Sequence, residues 1–263
     1  MKLFPFEECY LINLVERKDR YNYMINQFKE LRCDDEIQIF QVVKHPDWYL
    51  NRFLKGMNNT LPWQGWIDVP SAISCQREHY TLIKSAYLRE VESIMIIEDD
   101  CGFLKDRKEL EKYFNNLPKD WDILRINCLR GPKTQQYIED FKDKYSYWYP
   151  QITMLWGTGA YALSRNGMKY ILDWYEQYYA SIDTPLAFGH TKRLDNNLIR
   201  YKLTDTSNVK FYIPAIPLGL CAGEVAHKSD LHQKLNDDTD INKRNIYFLY
   251  DRMEDLDKDK YFI

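Results

Sequence analysis

One segment constrains this chain more than any other: Ser93-Ile94-Met95-Ile96-Ile97 runs without interruption into Glu98-Asp99-Asp100. A strand that is apolar on both faces must be covered on both faces, which makes it a central strand of an α/β sheet. It then delivers three carboxylates to the carboxyl end of that sheet, where open α/β folds bind ligands. Side chains alternate along a strand, so continued extended geometry predicts Glu98 and Asp100 on one side and Asp99 on the other. The i, i+2 pair suits a single cation, and oxygen-only ligands favour Mn²⁺ or Mg²⁺ over zinc. Spacing alone leaves a second reading open, an acidic turn that caps the next helix or pairs with Lys105 and Arg107.

Strand and helix patterns alternate around this segment. Cys9 to Leu14 and Ile37 to Val43 read as strands flanking an amphipathic helix over Asp19 to Arg32. The stretch that follows, up to Pro70, is rich in Trp, Asn, Gly and Pro and reads as a long loop; Trp48, Trp63 and Trp66 fit a lid or acceptor region as well as plain packing. A helix from about Ser71 to Leu88 precedes the acidic strand, and a charged helix over Asp106 to Phe114 and a strand over Trp121 to Asn127 follow it. Gln151 to Ser164 reads as extended chain broken at Gly157 and Gly159, ahead of a helix over Asn166 to Tyr179. Beyond Thr191 the signals thin to a helix near Asp195 to Tyr201 and a strand over Val209 to Ile213. The expectation is one α/β domain over residues 1–235 with a mostly parallel central sheet flanked by helices. Residues 236–263 are expected to form a charged tail, helical or mobile.

Composition narrows the function classes. A net charge of -3 and a pI near 6.0 offer no basic face for nucleic acid. The 21 Tyr and 7 Trp suit sugar rings and bases, although core packing accounts for most such side chains. The six cysteines lie singly, without C-x-x-C spacing or a histidine pairing that would suggest zinc, and are expected as free thiols. No stretch has the length of a transmembrane segment or the pattern of a signal peptide, so a cytoplasmic setting is the expectation.

Several segments, in order, resemble glycosyltransferase family 25, the lipopolysaccharide and procollagen galactosyltransferase group. Tyr10-Leu11-Ile12-Asn13-Leu14 followed by Val15-Glu16-Arg17-Lys18-Asp19-Arg20 is similar to its first strand and basic turn. Ala72-Ile73-Ser74 is similar to the start of its Ser-containing helix, with Cys75 where the family often has His. Ile96-Ile97-Glu98-Asp99-Asp100, Trp121-Asp122-Ile123-Leu124 and Gly157-Thr158-Gly159-Ala160-Tyr161-Ala162-Leu163-Ser164-Arg165-Asn166-Gly167 complete the match over roughly two thirds of the chain.

The resemblance implies a GT-A-type nucleotide-sugar transferase fold and a nucleotide diphosphate donor such as UDP-galactose. It further implies inversion at the sugar and a glycan or glycoprotein acceptor. Asn13, Arg17, Arg20, Ser74 and Asp99 become candidate donor contacts, with Ser74 otherwise a helix N-cap and the arginines otherwise a solvated turn. Glu98, Asp100 and His227 are the candidate metal ligands, and Lys228 a diphosphate contact; both late residues also fit an ordinary loop. Asp183, in a D-x-x-L pattern, and Asp195 are the candidate bases, each otherwise a helix N-cap. Two other classes remain open: a metal-dependent nucleotidyl or phosphoryl transferase, which lacks support from any glycine-rich phosphate loop, and a catalytically silent sugar- or nucleotide-binding protein.

Overall fold

The computed structural model describes residues 2–43, 70–128, 132–151, 155, 157–177, 182–187 and 208–221. Strand β1 (Glu8–Leu14) leads through helix α1 (Lys18–Glu30) and a single turn at Asp34–Glu36 to β2 (Ile37–Val42). Helix α2 (Pro70–Leu88) precedes β3 (Ser93–Glu98), the short β4 (Cys101–Phe103) and helix α3 (Arg107–Phe114). Then come β5 (Ile123–Asn127), α4 (Pro132–Asp140), β6 (Trp148–Pro150), β7 (Ala160–Ser164) and α5 (Arg165–Gln177). A short helix α6 (Asp183–Ala187) and strands β8 (Phe211–Pro214) and β9 (Gly219–Cys221) complete the described elements.

Seven strands form one sheet in the order β2-β1-β3-β7-β5-β8-β6, and β4 pairs with β9 as a separate ribbon. The α/β class with helices flanking a central sheet is as expected. The mostly parallel sheet is not: β1 runs parallel to β2 and β3, and β5 to β8, but β7 is antiparallel to both β3 and β5, and β6 to β8. The reversal of β7 matters for the site. A strand antiparallel to β3 begins where β3 ends, so the loop Gly157–Gly159 is delivered to the acidic triplet, where Glu98 N–H donates to the Gly159 carbonyl at 2.8 Å.

Each face of the sheet has its own core. On one face Cys9, Leu11, Met95, Ile97, Leu124, Ile126, Ala160 and Ala162 pack with Met24 and Phe28 of α1 and Leu110, Tyr113 and Phe114 of α3. On the other, Tyr10, Ile12, Ile94, Ile96, Ile123, Tyr161 and Leu163 pack with Leu82, Ile83 and Ala86 of α2 and Met168, Ile171 and Trp174 of α5. Ile94 to Ile97 are all fully buried, which confirms the two-sided strand read from the sequence. Burying each such side chain stabilises by about 1.5–3 kcal/mol, and Ile96→Ala would cost about 2–5 kcal/mol through the cavity it leaves.

Local chemistry explains the element ends. Asp106, extended at the N-cap of α3, accepts from Glu109 N–H at 2.8 Å. Arg107 is committed to Glu111 and to the Leu31 and Arg32 carbonyls that end α1. Capping of α3 and pairing of Arg107 therefore do not involve the triplet, which removes much of the alternative reading of those carboxylates. Gly157 has φ 91°, a backbone state favouring glycine. A Cβ on Gly167 would lie 2.2 Å from the Asp122 carbonyl, so the last glycine of that motif lets α5 approach the start of β5.

The two three-residue strands β4 and β9, helices α4 and α6, and β6 were not legible in the sequence. The long loop, the helix near Asp195 and the charged tail lie outside the described residues. Among the described residues no helix is long and apolar enough to cross a membrane.

Candidate functional site

The expected strand alternation does not run through the triplet, because β3 ends at Glu98 and Asp99 and Asp100 lie in the turn beyond it, both on the side of Arg20. Register pairs Ile12 of β1 with Glu98, which brings Asn13 alongside Asp99. Asp99 points toward α1: its Oδ2 accepts from Asn13 Nδ2 at 2.9 Å and from Leu14 N–H at 3.2 Å, and its Oδ1 from Arg20 Nη1 at 3.0 Å. Asn13 also donates to the Arg17 carbonyl at 3.3 Å, and the Arg17 guanidinium grips Asp19 at 2.8 and 3.0 Å. The structure thus brings Asn13, Arg20 and Asp99 together, with Arg17 joined to them through its backbone carbonyl and its guanidinium turned to Asp19. Burial raises the Asp99 carboxyl above its ordinary value, opposed by Arg20 and Asn13.

Glu98 points the other way, toward α2. Its Oε1 accepts from Thr158 Oγ1 at 2.5 Å and lies 3.2 Å from His79 Nε2. Burial works against its ionisation, but His79, Thr158 and Arg20 outweigh it and hold the carboxyl below its ordinary range. His79 is fully buried, with Nδ1 2.8 Å from Tyr161 Oη and its ring stacked on that tyrosine. Cys75, one helical turn before His79, brings a thiol to the same point, so that Cys75, His79 and Glu98 each present a ligand atom within 4.8 Å of the others.

Asp100, just past the strand, has Oδ2 3.7 Å from Arg20 Nη1, whereas its buried Oδ1 has no hydrogen-bond partner among the described residues. Burial, then the charge of Glu98, pushes its carboxyl up to about 7. Asp183 begins α6, and its Oδ1 accepts from Gly157 N–H at 2.8 Å. Burial lifts its carboxyl to about 6, moderated by Arg125 and reinforced by Glu98. Arg125, fully buried on β5, donates to the carbonyls of Leu155, Leu186 and Gly157, tying the approach loop and α6 to the sheet. The arrangement gathers three consecutive carboxylates and a fourth, Asp183, from a distant helix at one sheet end, a setting that favours a cation and perturbs proton affinities.

The profile of glycosyltransferase family 25, described as an LPS biosynthesis protein family, matches residues 6–186, more than half of the chain. This chain belongs to glycosyltransferase family 25. It is 31% identical over 165 residues to human procollagen galactosyltransferase 2, covering 54% of this chain and 25% of the relative. It is 23% identical over 185 residues to the human inactive glycosyltransferase 25 family member 3, covering 64% of this chain and 29% of that one. The chain thus spans about a quarter of the length of the curated relatives it matches. Mouse xyloside xylosyltransferase 1 in its apo form aligns over 68% of this chain and 66% of its own, at 10% identity and a TM-score of 0.29.

The family 25 match includes Asn13, Arg17, Arg20, Ser74, Glu98, Asp99, Asp100 and Asp183. Three other candidates, Asp195, His227 and Lys228, lie outside the described residues. Ser74 requires a correction: α2 starts at Pro70, a favoured first helical residue, so Ser74 is buried in the second turn and does not cap the helix. The expected lack of a histidine partner for any cysteine is also corrected by Cys75 and His79. Their i, i+4 spacing places both on one helical face and was the available signal. Thr158 and Arg125 had none, since only the reversed strand β7 and the closure of α6 onto β5 bring them to the site. The five cysteines whose side chains are described are free thiols, as expected.

Proposed function

We propose that this chain is a metal-dependent glycosyltransferase that moves a sugar from a nucleotide diphosphate donor, such as a UDP-sugar, to a hydroxyl of a glycan or protein. Galactose is the leading choice of sugar, by analogy with the relatives named as procollagen galactosyltransferases. The transfer is proposed to invert the anomeric carbon on a GT-A-type fold. One observation carries the reading: Asp100 holds an unsatisfied buried oxygen beside Glu98, at the end of a central strand where ligands bind. A buried acceptor without a partner costs about 1–3 kcal/mol, and a cation removes that cost.

Glu98 and Asp100 fit Mn²⁺ or Mg²⁺, hard ions that accept oxygen ligands. Such an ion, when bound, supplies charge stabilisation for a departing diphosphate. The chain's own residues do the remainder. Arg20, anchored by Asp99 and close to Asp100, adds positive charge on the donor side. Asp99, itself fixed by Asn13, holds that guanidinium in place. Asp183, with proton affinity raised toward neutrality by burial, suits a base that takes the acceptor hydroxyl proton. Asp195 is the alternative base. The free thiols favour a cytoplasmic setting for the same reaction.

A panel of sugar nucleotides, with and without Mn²⁺, tests the proposal by hydrolysis and by thermal stabilisation. Metal-dependent turnover of a UDP-sugar is the expected result. A second reading is favoured by the inactive member among the relatives: a chain that binds nucleotide-sugar without transfer. Stabilisation by UDP without turnover of any donor would select it, and no response to any nucleotide would overturn both.

A further inference from the structure

Cys75, His79 and Glu98 offer a donor set unlike that of the acidic triplet. The thiol and the imidazole rise from adjacent turns of α2 and meet a carboxylate oxygen at the end of β3, all three ligand atoms within 4.8 Å of one another. His79 is fully buried, and its Nε2 has no hydrogen-bond partner among the described residues. Glu98 Oε1 is 3.2 Å away, an electrostatic contact that falls short of a well-formed hydrogen bond, so that nitrogen stays open to a stronger ligand. Tyr161 Oη engages the opposite nitrogen, Nδ1, at 2.8 Å. A histidine held at one nitrogen by a hydrogen-bonding partner while the other faces a thiol and a carboxylate has the arrangement of a metal ligand with its supporting contact.

We propose that Cys75, His79 and Glu98 form a binding site for a borderline divalent cation of the Zn²⁺ class, with three protein ligands and a fourth position left for water or a donor oxygen. Sulfur and nitrogen ligands select this class over Mn²⁺ and Mg²⁺. His79 binds through Nε2, and Nδ1–H donates to Tyr161 Oη. Cys75 binds as thiolate, and its proton leaves to solvent, so one proton is released for each cation bound. Burial, followed by the negative charge of Glu98, Asp183, Asp100 and Asp99, holds this thiol well above its ordinary value of 9.0 when no cation is present. The same negative surroundings attract the cation. The site stands on these three side chains and does not depend on the transfer reading; it shares Glu98 with the oxygen site but neither Asp100 nor any hard-ion preference.

Titration of the intact chain with Co²⁺, followed by competition with Zn²⁺, tests it. The expected result is a near-ultraviolet thiolate-to-cobalt band saturating at one equivalent and erased by Zn²⁺. Cys75→Ser should abolish the band, and His79→Gln should weaken binding at least about tenfold. Cys128→Ser and Asp100→Asn should leave the band in place, with Asp100→Asn losing any sugar transfer. A wild-type titration without the band overturns the site whatever the variants do, as does a band that survives Cys75→Ser. A wild-type chain that transfers sugar without showing the band fails this site alone, and a band in a chain that transfers nothing fails the transferase reading alone.

Discussion

Asp99 and Asp100 are neighbours in sequence and opposites in environment. Asp99 accepts three hydrogen bonds and knits β1, α1 and β3 together. Asp100 is comparably enclosed yet keeps an oxygen with no partner among the described residues. Glu98, on the far face, is shared among Thr158 and His79. One carboxylate of the triplet thus holds the strand end in place, a second is held by Thr158, and Asp100 alone of the three keeps an unsatisfied buried oxygen among the described residues. Acidic residues that look alike in a motif divide into structural and chemical roles according to which partners the fold brings to each.

The contrast can be broken most directly at Asp100. Asp100→Asn should lower sugar transfer by about a thousandfold, roughly 4 kcal/mol of lost charge stabilisation, while the melting temperature holds or rises slightly. A transfer assay paired with calorimetry reads both, and retained turnover would move the oxygen site elsewhere. Asp99→Ala should behave in the reverse sense, costing about 3 kcal/mol of stability because it strands Arg20 as a buried, partly unpaired charge. Chemical denaturation measures this, and an unchanged midpoint would remove Asp99 from the structural side. Asp183→Asn should slow transfer to acceptor about a hundredfold with little change in donor affinity. If the donor dissociation constant moves instead, Asp183 is not the base.

The smallest effect is a control far from the strand end. Arg89 pairs with Glu8 and, through its hydrogen bonds, holds the Glu8 carboxyl below its ordinary value of 4.5. A depressed carboxyl contributes stability above pH 4.5 that is lost as pH falls through its lower folded value. Because Arg89 is half exposed, Glu8→Gln should cost only about 0.5 kcal/mol at neutral pH and nothing in strong acid. Denaturation midpoints at two pH values check the sign.

Much of this architecture was legible in the chain itself. The two-sided apolar run Ile94 to Ile97, the amphipathic α1 and the capped start of α3 declare themselves through local periodicity and end chemistry. The reversed direction of β7 did not, because Ala160–Ser164 carries the same apolar pattern whichever way it runs. The short strands β4 and β9 were equally silent, since three residues hold no period and exist only through their pairing across more than a hundred residues. At the site, the triplet, Arg20 and Asp183 were visible as residue types in known patterns. Cys75 with His79 is marked only by helical spacing, whereas Thr158 and Arg125 have no local mark at all.

By itself, then, the sequence determined the longer strands and helices, the burial of β3 on both faces and, through the order of its motifs, the family to which the chain belongs. The elements and the two-sided burial follow from short-range sterics and hydrophobic periodicity, which operate along the chain. Tertiary structure alone decided that Asp99 would be saturated and Asp100 left wanting, and that a histidine from α2 and a threonine from the loop before β7 would flank Glu98. Satisfaction of a buried polar atom depends on what arrives from elsewhere in the fold, and no local pattern encodes it.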